Sequence, residues 1–137
     1  MPKIEVSRQD LFAQARIEDP GDEKLADLLS LVKGEIDSSN GDLLKLELND
    51  TNRPDLWCVE GVARALRCWN AGAEPHLNDL PEPDMDIFVD PDLEQVRPFV
   101  AAFTACGWTP DQKDLDALID VQVKLATSFG KNRKTAG

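Results

Sequence analysis

The chain has 137 residues, 42% of them hydrophobic and 30% charged, with 26 acidic against 15 basic side chains and a formal net charge of -11. That length allows one ordinary domain, or a small domain with part of a second, and no stretch approaches the roughly 18 to 20 apolar residues of a membrane span. So acidic a chain argues against an independent binder that tracks phosphates along a basic stripe. Three cysteines in no C-x-x-C arrangement, with His76 the only histidine, argue against a zinc site.

Residues 3–6 alternate as a short strand, and Ser7 with Asp10 makes a capping-box-like start to a helix carrying Leu11, Phe12 and Ala15. The run Asp19-Pro-Gly-Asp22 breaks that helix. A second one follows, with Leu25, Leu28, Leu29 and Val32 on one face and Gly34 placed to end it. Residues 35–37 are read as a short strand, joined through the turn-forming residues 38–42 to a clearer strand in which Leu44, Leu46 and Leu48 face inward.

The most informative stretch comes next, Asn49-Asp-Thr-Asn-Arg-Pro-Asp-Leu-Trp-Cys-Val-Glu-Gly-Val-Ala-Arg-Ala-Leu-Arg67. Asn52, Arg53 and Pro54 form a turn that cannot continue the strand, and the fixed φ of Pro54 suits a first helical turn. Asp55 then falls near the positive end of the helix dipole. Leu56, Val59, Ala63 and Leu66 recur at helical spacing, widened by Val62. Glu60 and Arg64 are set for an i,i+4 pair. Gly61 costs about 1 kcal/mol against Ala inside a helix, so its presence implies close approach of another backbone. The pattern contains no nucleophile beside a base and no metal-ligand spacing, and it is read as a device that builds and anchors a fold, with no catalytic, cofactor-binding or metal-binding residue.

Beyond Gly72 the chain turns Pro-rich and acidic, with eight carboxylates from Glu74 to Glu94 and no intervening Lys or Arg. The lack of an Asp-x-Asp-x-Asp-Gly loop argues against a calcium loop and leaves a solvated connector. Ile87 and Val89 suggest a strand, residues 96–108 suggest another interrupted by Pro98, and Thr109-Pro-Asp leads into a helix whose buried stripe is expected at Leu115, Leu118, Ile119, Gln122, Leu125 and Phe129. Two strands and a helix bury too little surface alone, which suggests the start of a larger domain. The expected architecture is α+β: a compact β-α-α-β-β-α domain over residues 1–72, a connector over 73–86, and an incomplete second α/β domain over 87–137. The one basic cluster, Lys131, Arg133 and Lys134, is a weak candidate for touching RNA, set against a simple role at the C-terminus of a helix.

The form N-R-P-D-L-x-x-x-E-G-V-A-R-A-L from Asn52 to Leu66, directly after the strand, resembles the N-terminal domain of the beta subunit of phenylalanyl-tRNA synthetase. The opening Met1-Pro-Lys-Ile-Glu-Val-Ser7 and Val96-Arg-Pro-Phe-Val-Ala-Ala-Phe-Thr104 resemble the same subunit in register. The short passage from Asp37 to Leu43 looks like the archaeal and eukaryotic type, which lacks an inserted oligonucleotide-binding barrel. Family members often carry Ser where this chain has Cys58. The resemblance implies the N-terminal part of a subunit that continues for several hundred residues, with the segment after the connector opening the editing domain. It also implies partners, namely the rest of the beta subunit, the alpha subunit in an alpha2-beta2 assembly, and phenylalanine tRNA. ATP and magnesium belong to the whole ligase, with no cofactor in this part, and the expected setting is cytoplasmic, with no secretory signal and no membrane. An editing hydrolase and a free-standing acidic interaction module are the competing readings.

Overall fold

Leu44, Leu46 and Leu48 alternate with Leu43, Lys45 and Glu47, and this period of two places them on one face of a strand. In the computed structural model of the protein, which describes residues 2–49, 52–72, 82, 85–96 and 98–135, that strand is the centre of a three-stranded antiparallel sheet. The strands are β1 (Lys3–Ser7), β2 (Gly34–Asn40) and β3 (Leu43–Leu48), in the order β1-β3-β2. The covered face carries Ile4, Val6, Leu44, Leu46 and Leu48, all buried. The other face is charged and pairs across strands: Lys3 meets Asp37 at 2.7 Å and Glu47 at 3.2 Å, and Lys45 meets Glu5 at 2.7 Å. These exposed pairs help to set register and contribute little stability.

Helices α1 (Arg8–Ala15), α2 (Asp22–Ser30) and α3 (Val59–Ala71) contribute Leu11, Phe12, Ala15, Leu25, Leu29, Val62, Ala63 and Leu66 to the core, and Leu56 and Trp57, just before α3, complete it. The expected order β-α-α-β-β-α is the observed one up to Gly72, whose left-handed φ of 61° closes α3. Local details differ. β2 runs to Asn40 and not to residue 37, with a bulge between Ile36 and Ser38 that leaves Asp37 free to reach Lys3. α2 ends without Gly34. Lys33 takes the left-handed φ of 53°, and Gly34 opens β2 as a buried residue where a Cβ would sit 3.4 Å from the Leu29 carbonyl oxygen and a Leu48 methyl.

The start of α1 is tied from two sides. The Asp10 N–H donates to Ser7 Oγ at 3.1 Å, as the capping residues imply, while the two-residue turn Gly41-Asp42 supplies acceptors for the Arg8 and Gln9 N–H groups at 2.7 and 2.8 Å. Arg8 itself reaches across the α1–α2 loop, forking onto Asp19 at 2.5 and 2.7 Å, touching Asp22, and lying over the Phe12 ring. This fork, helped by the Gly21 N–H, holds the Asp19 carboxyl down at about 2, against an ordinary 3.8. A carboxyl depressed in the folded state stabilises fully above its unfolded value, so this contribution is present above about pH 4 and lost as pH falls toward 2. Asp19→Asn is expected to flatten the stability profile in that window; an unchanged acid limb in urea titrations would count against the clamp.

By its internal contacts the chain divides into two units, one of Met1–Pro75 with Asp111–Gly137, the other of His76–Pro110. This differs from the expected boundary at 87, because the last 27 residues go with the first unit. Helix α4 (Gln112–Lys124) begins at a reciprocal Asp111–Asp114 capping box. It is pinned by a Lys113–Asp10 ion pair, and the π-helical turn Leu125–Phe129 that follows brings Leu125 onto the core and buries Ala126. The expected buried stripe is wrong for most of α4. Leu118 and Ile119 are 52% and 60% exposed, while Ala117 and Val121 are half-buried.

In the other unit, residues 85–90 and 98–110 form no strand, and Pro91–Leu93 makes a single 3-10 turn. The apolar pattern there is real, but a strand needs a paired neighbour, and the sheet contains only β1, β2 and β3. The connector falls mostly on residues outside those described, as does His76. Among the described residues no helix is long and apolar enough to cross a membrane.

Candidate functional site

Pro54 does not open α3 as its sequence position suggests. It heads a separate 3-10 turn, Pro54–Leu56, closed by Leu56 and Trp57 N–H groups donating to the Arg53 and Pro54 carbonyls at 3.0 and 3.1 Å. The backbone then extends at Cys58 (φ -145°, ψ 161°), and α3 begins at Val59. The signature is therefore a turn, a step and a helix. The step lets the helix fold back over the turn, with the first turn of α3 lying against the Asp55 carbonyl.

Gly61 is the point of contact. A Cβ there would lie 1.6 Å from the Asp55 carbonyl oxygen and 2.7 Å from its carbon, a separation no side chain can occupy. The close backbone approach expected of Gly61 is present, and its partner is the signature's own 3-10 turn.

Asp55 is held from both sides. Arg53 binds it through two parallel N–H bonds of 2.9 and 2.8 Å, and Arg64, one helical turn past Gly61, approaches the same carboxylate at 3.5 Å. The Arg53 fork, with Arg64 adding attraction, keeps the Asp55 carboxyl below the usual range despite partial burial. The expected Glu60–Arg64 pair is not among the ion pairs of the described residues, because Arg64 turns to Asp55. Asn52 is exposed in the turn.

Cys58 occupies the N-cap of α3, where Ser, Thr, Asp or Asn is favoured. Its thiol donates to the Asp55 carbonyl at 3.8 Å, and burial pushes the thiol up against the lowering effect of the Gly61 N–H. Sulfur is a poor acceptor for that N–H, so Cys58→Ser is expected to stabilise the chain by about 0.5–1 kcal/mol. A lower urea midpoint for the serine variant would contradict this.

Between α1 and α3 lies an open groove of about 650 Å³. Its α1 wall is Ala13, Gln14 and Arg16, and its α3 wall brings Arg64 and Arg67 beside Asp55, Glu60 and Gly61. Three of the motif residues singled out from sequence, Asp55, Gly61 and Arg64, thus meet in one place. Sequence reasoning missed Arg16 and Arg67. Arg67 was legible as part of the α3 periodicity, one turn from Arg64, whereas nothing local marks Arg16, which joins only because α1 packs on α3. Lys131, Arg133 and Lys134 do not line the groove. They are exposed in a left-handed turn, with φ between 50° and 63° from Lys131 to Arg133, whose N–H groups return to the carbonyls of the preceding π-helical turn. Among the described residues no group of His, Cys, Asp or Glu is arranged to hold a metal ion.

No family model matches the sequence. Individual proteins do. The chain is 35% identical over 142 aligned residues to the phenylalanine–tRNA ligase beta subunit of Borrelia hermsii, and 37% identical over 140 to that of Pyrococcus abyssi, in each case across 98% of this chain. It spans about a quarter of the length of these relatives, 25% in both. In fold it superposes on the crystal structure of an N-terminal fragment of the phenylalanyl-tRNA synthetase beta subunit from Pyrococcus horikoshii, with a TM-score of 0.76 and 34% identity over 96% of this chain and 39% of that one. Sequence and fold agree over nearly every residue, and the chain is similar over almost its whole length to phenylalanine–tRNA ligase beta subunits and, in fold, to an N-terminal fragment of one.

Proposed function

We propose that the chain serves as the N-terminal structural module of a phenylalanine–tRNA ligase, a multisubunit enzyme of alpha2-beta2 type that attaches phenylalanine to its tRNA with ATP and magnesium in the cytoplasm. The observation that carries this reading is the 37% identity across 98% of the chain to a beta subunit of that ligase. In it, Asn52, Arg53, Pro54, Asp55, Gly61 and Arg64 work as a folding unit that fixes how α3 sits on the sheet, and Lys131, Arg133 and Lys134 remain the candidates for contact with tRNA. The segment from residue 87 to 110 opens a further domain of editing type, and its exposed apolar side chains are the surface that domain would cover.

The module has no chemistry of its own in this reading. Ester hydrolysis or amino-acid activation needs a nucleophile or an activated water beside oriented polar groups, and the Asp55 carboxylate is committed to Arg53 and Arg64. The purified chain is expected neither to charge tRNA nor to release tyrosine from Tyr-tRNA above the uncatalysed rate. The complete protein with its partner subunit is expected to charge tRNA with phenylalanine. Release of tyrosine by the chain alone would overturn the structural reading, and a complete protein without charging activity would favour a free-standing interaction module.

A further inference from the structure

Among the described residues, the Arg16 and Arg67 guanidinium groups line a common groove with no carboxylate, ring or hydrogen-bond partner of their own, in a chain with 26 carboxylates. Their neighbour Arg64 has only a 3.5 Å contact to an Asp55 already forked by Arg53. Arg67 is also half-buried, so its charge has given up part of its water without a compensating ion pair. The groove lining is small at Ala13 and Ala63, and Gln14 adds an amide. Guanidinium forks over a small-residue floor suit planar anionic groups carried on a polypeptide, since Arg binds carboxylates through paired N–H bonds and is enriched where interfaces are tightest.

We infer that the groove between α1 and α3 is a docking site for acidic side chains of a partner polypeptide, with Arg16 and Arg67 as the receiving cations and Arg64 in support. The occupant is a second chain and not a nucleic acid. Asp55 and Glu60 stand in the groove and the whole chain carries -11, so a run of phosphates meets strong repulsion both on approach and on contact, whereas one or two carboxylates on a mostly neutral segment meet far less of it and are matched in number by the arginines. The inference rests on the proposal that the chain works within a multisubunit ligase, which supplies such a partner.

The test uses the complete protein assembled with its partner subunit. Arg67→Lys keeps the charge and places an amine where a water-soluble carbodiimide can join it to a touching carboxylate, forming an amide with release of the urea. The expected product is a cross-link from position 67 to an Asp or Glu of the partner chain, found by peptide mass spectrometry. In parallel, Arg16→Glu with Arg67→Glu should weaken association with the partner at least tenfold, while Lys24→Glu, on the exposed side of α2, leaves it unchanged. Equal thermal midpoints for the isolated variants establish that the fold is intact. Cross-links confined to the protein's own chain, or none, together with unweakened association, would overturn the inference. So would a double variant that keeps its partner but loses tRNA affinity with a shallower salt dependence, which would make the groove a phosphate site. Charging activity of the wild-type assembly reports separately on the functional reading, since either result can fail while the other stands.

Discussion

Gly61→Ala is expected to destabilise the chain by about 3 kcal/mol or more, the upper range of overpacking in a well-packed site. Two effects of opposite sign compete at this position. Helix propensity alone favours alanine over glycine in the interior of a helix by roughly 1 kcal/mol, so a residue in the first turn of α3 would ordinarily gain part of that from the change. Against this stands a methyl group 1.6 Å from the Asp55 carbonyl oxygen. The oxygen cannot yield cheaply, because its residue sits in a turn whose φ is set by Pro54, whose side chain is forked by Arg53, and whose carbonyl accepts the Cys58 thiol. Either the turn or the first turn of α3 must move. Both carry core residues, Leu56 and Trp57 on one side and Val62 and Ala63 on the other. Since a domain of this size holds about 5–15 kcal/mol in total, Gly61→Leu is expected to leave a large unfolded fraction at ambient temperature. Urea denaturation of the alanine variant decides between the two effects: an unchanged or raised midpoint would mean that the carbonyl gives way and that the close approach has no energetic weight.

Gly61 also marks how far the sequence could be read. A glycine in an otherwise strong helix signals a contact, and the signal was correct, but no periodicity says which backbone makes the contact. The three-strand sheet and the helices around it were legible because Leu44, Leu46 and Leu48 alternate with period two and Leu25 with Leu29 recur with period four, so local pattern and burial agree. Pro54 misled for a physical reason: its fixed φ suits a 3-10 turn as well as the first turn of an α-helix. The stripe of α4 misled differently. Leu115, Leu118 and Ile119 are apolar and helically spaced, yet the side of α4 that meets the rest of its own unit is chosen by the Lys113–Asp10 pair and by Leu125, and the apolar side is left exposed. The groove was legible only in halves. Arg64 and Arg67 could be placed on α3 from sequence, while Arg16 reaches the groove through the packing of α1, a tertiary fact with no local trace.

The region after the connector yields the other large expected effect, a contrast in amide hydrogen exchange. Phe88, Phe99 and Phe103 are 93%, 92% and 91% exposed, an unusual cost for three phenylalanines within sixteen residues. Among the described residues no backbone hydrogen bond ties residues 98–110 to one another or to the rest of the chain. β3 is paired on both edges and its buried leucines sit at 0% exposure, so its amides should open only with global or near-global unfolding. For a domain of ordinary stability that protection is a factor of about 10³ or more over an unpaired amide. The amides of residues 99–109 are therefore expected to exchange within about tenfold of unprotected rates while those of β3 persist at least a thousandfold longer. If the segment opens a larger domain, the same amides become protected in the complete protein, because added strands supply the hydrogen bonds and added surface covers the phenylalanines. The alternative that copies of the chain cover each other is read from the mass by sedimentation: protection of residues 98–110 that appears with a concentration-dependent dimer assigns the surface to self-association. Slow exchange across these residues in a strictly monomeric sample would overturn the expectation altogether, since it would require hydrogen bonds within a finished second domain, and the free-standing module would then be the better account of the chain.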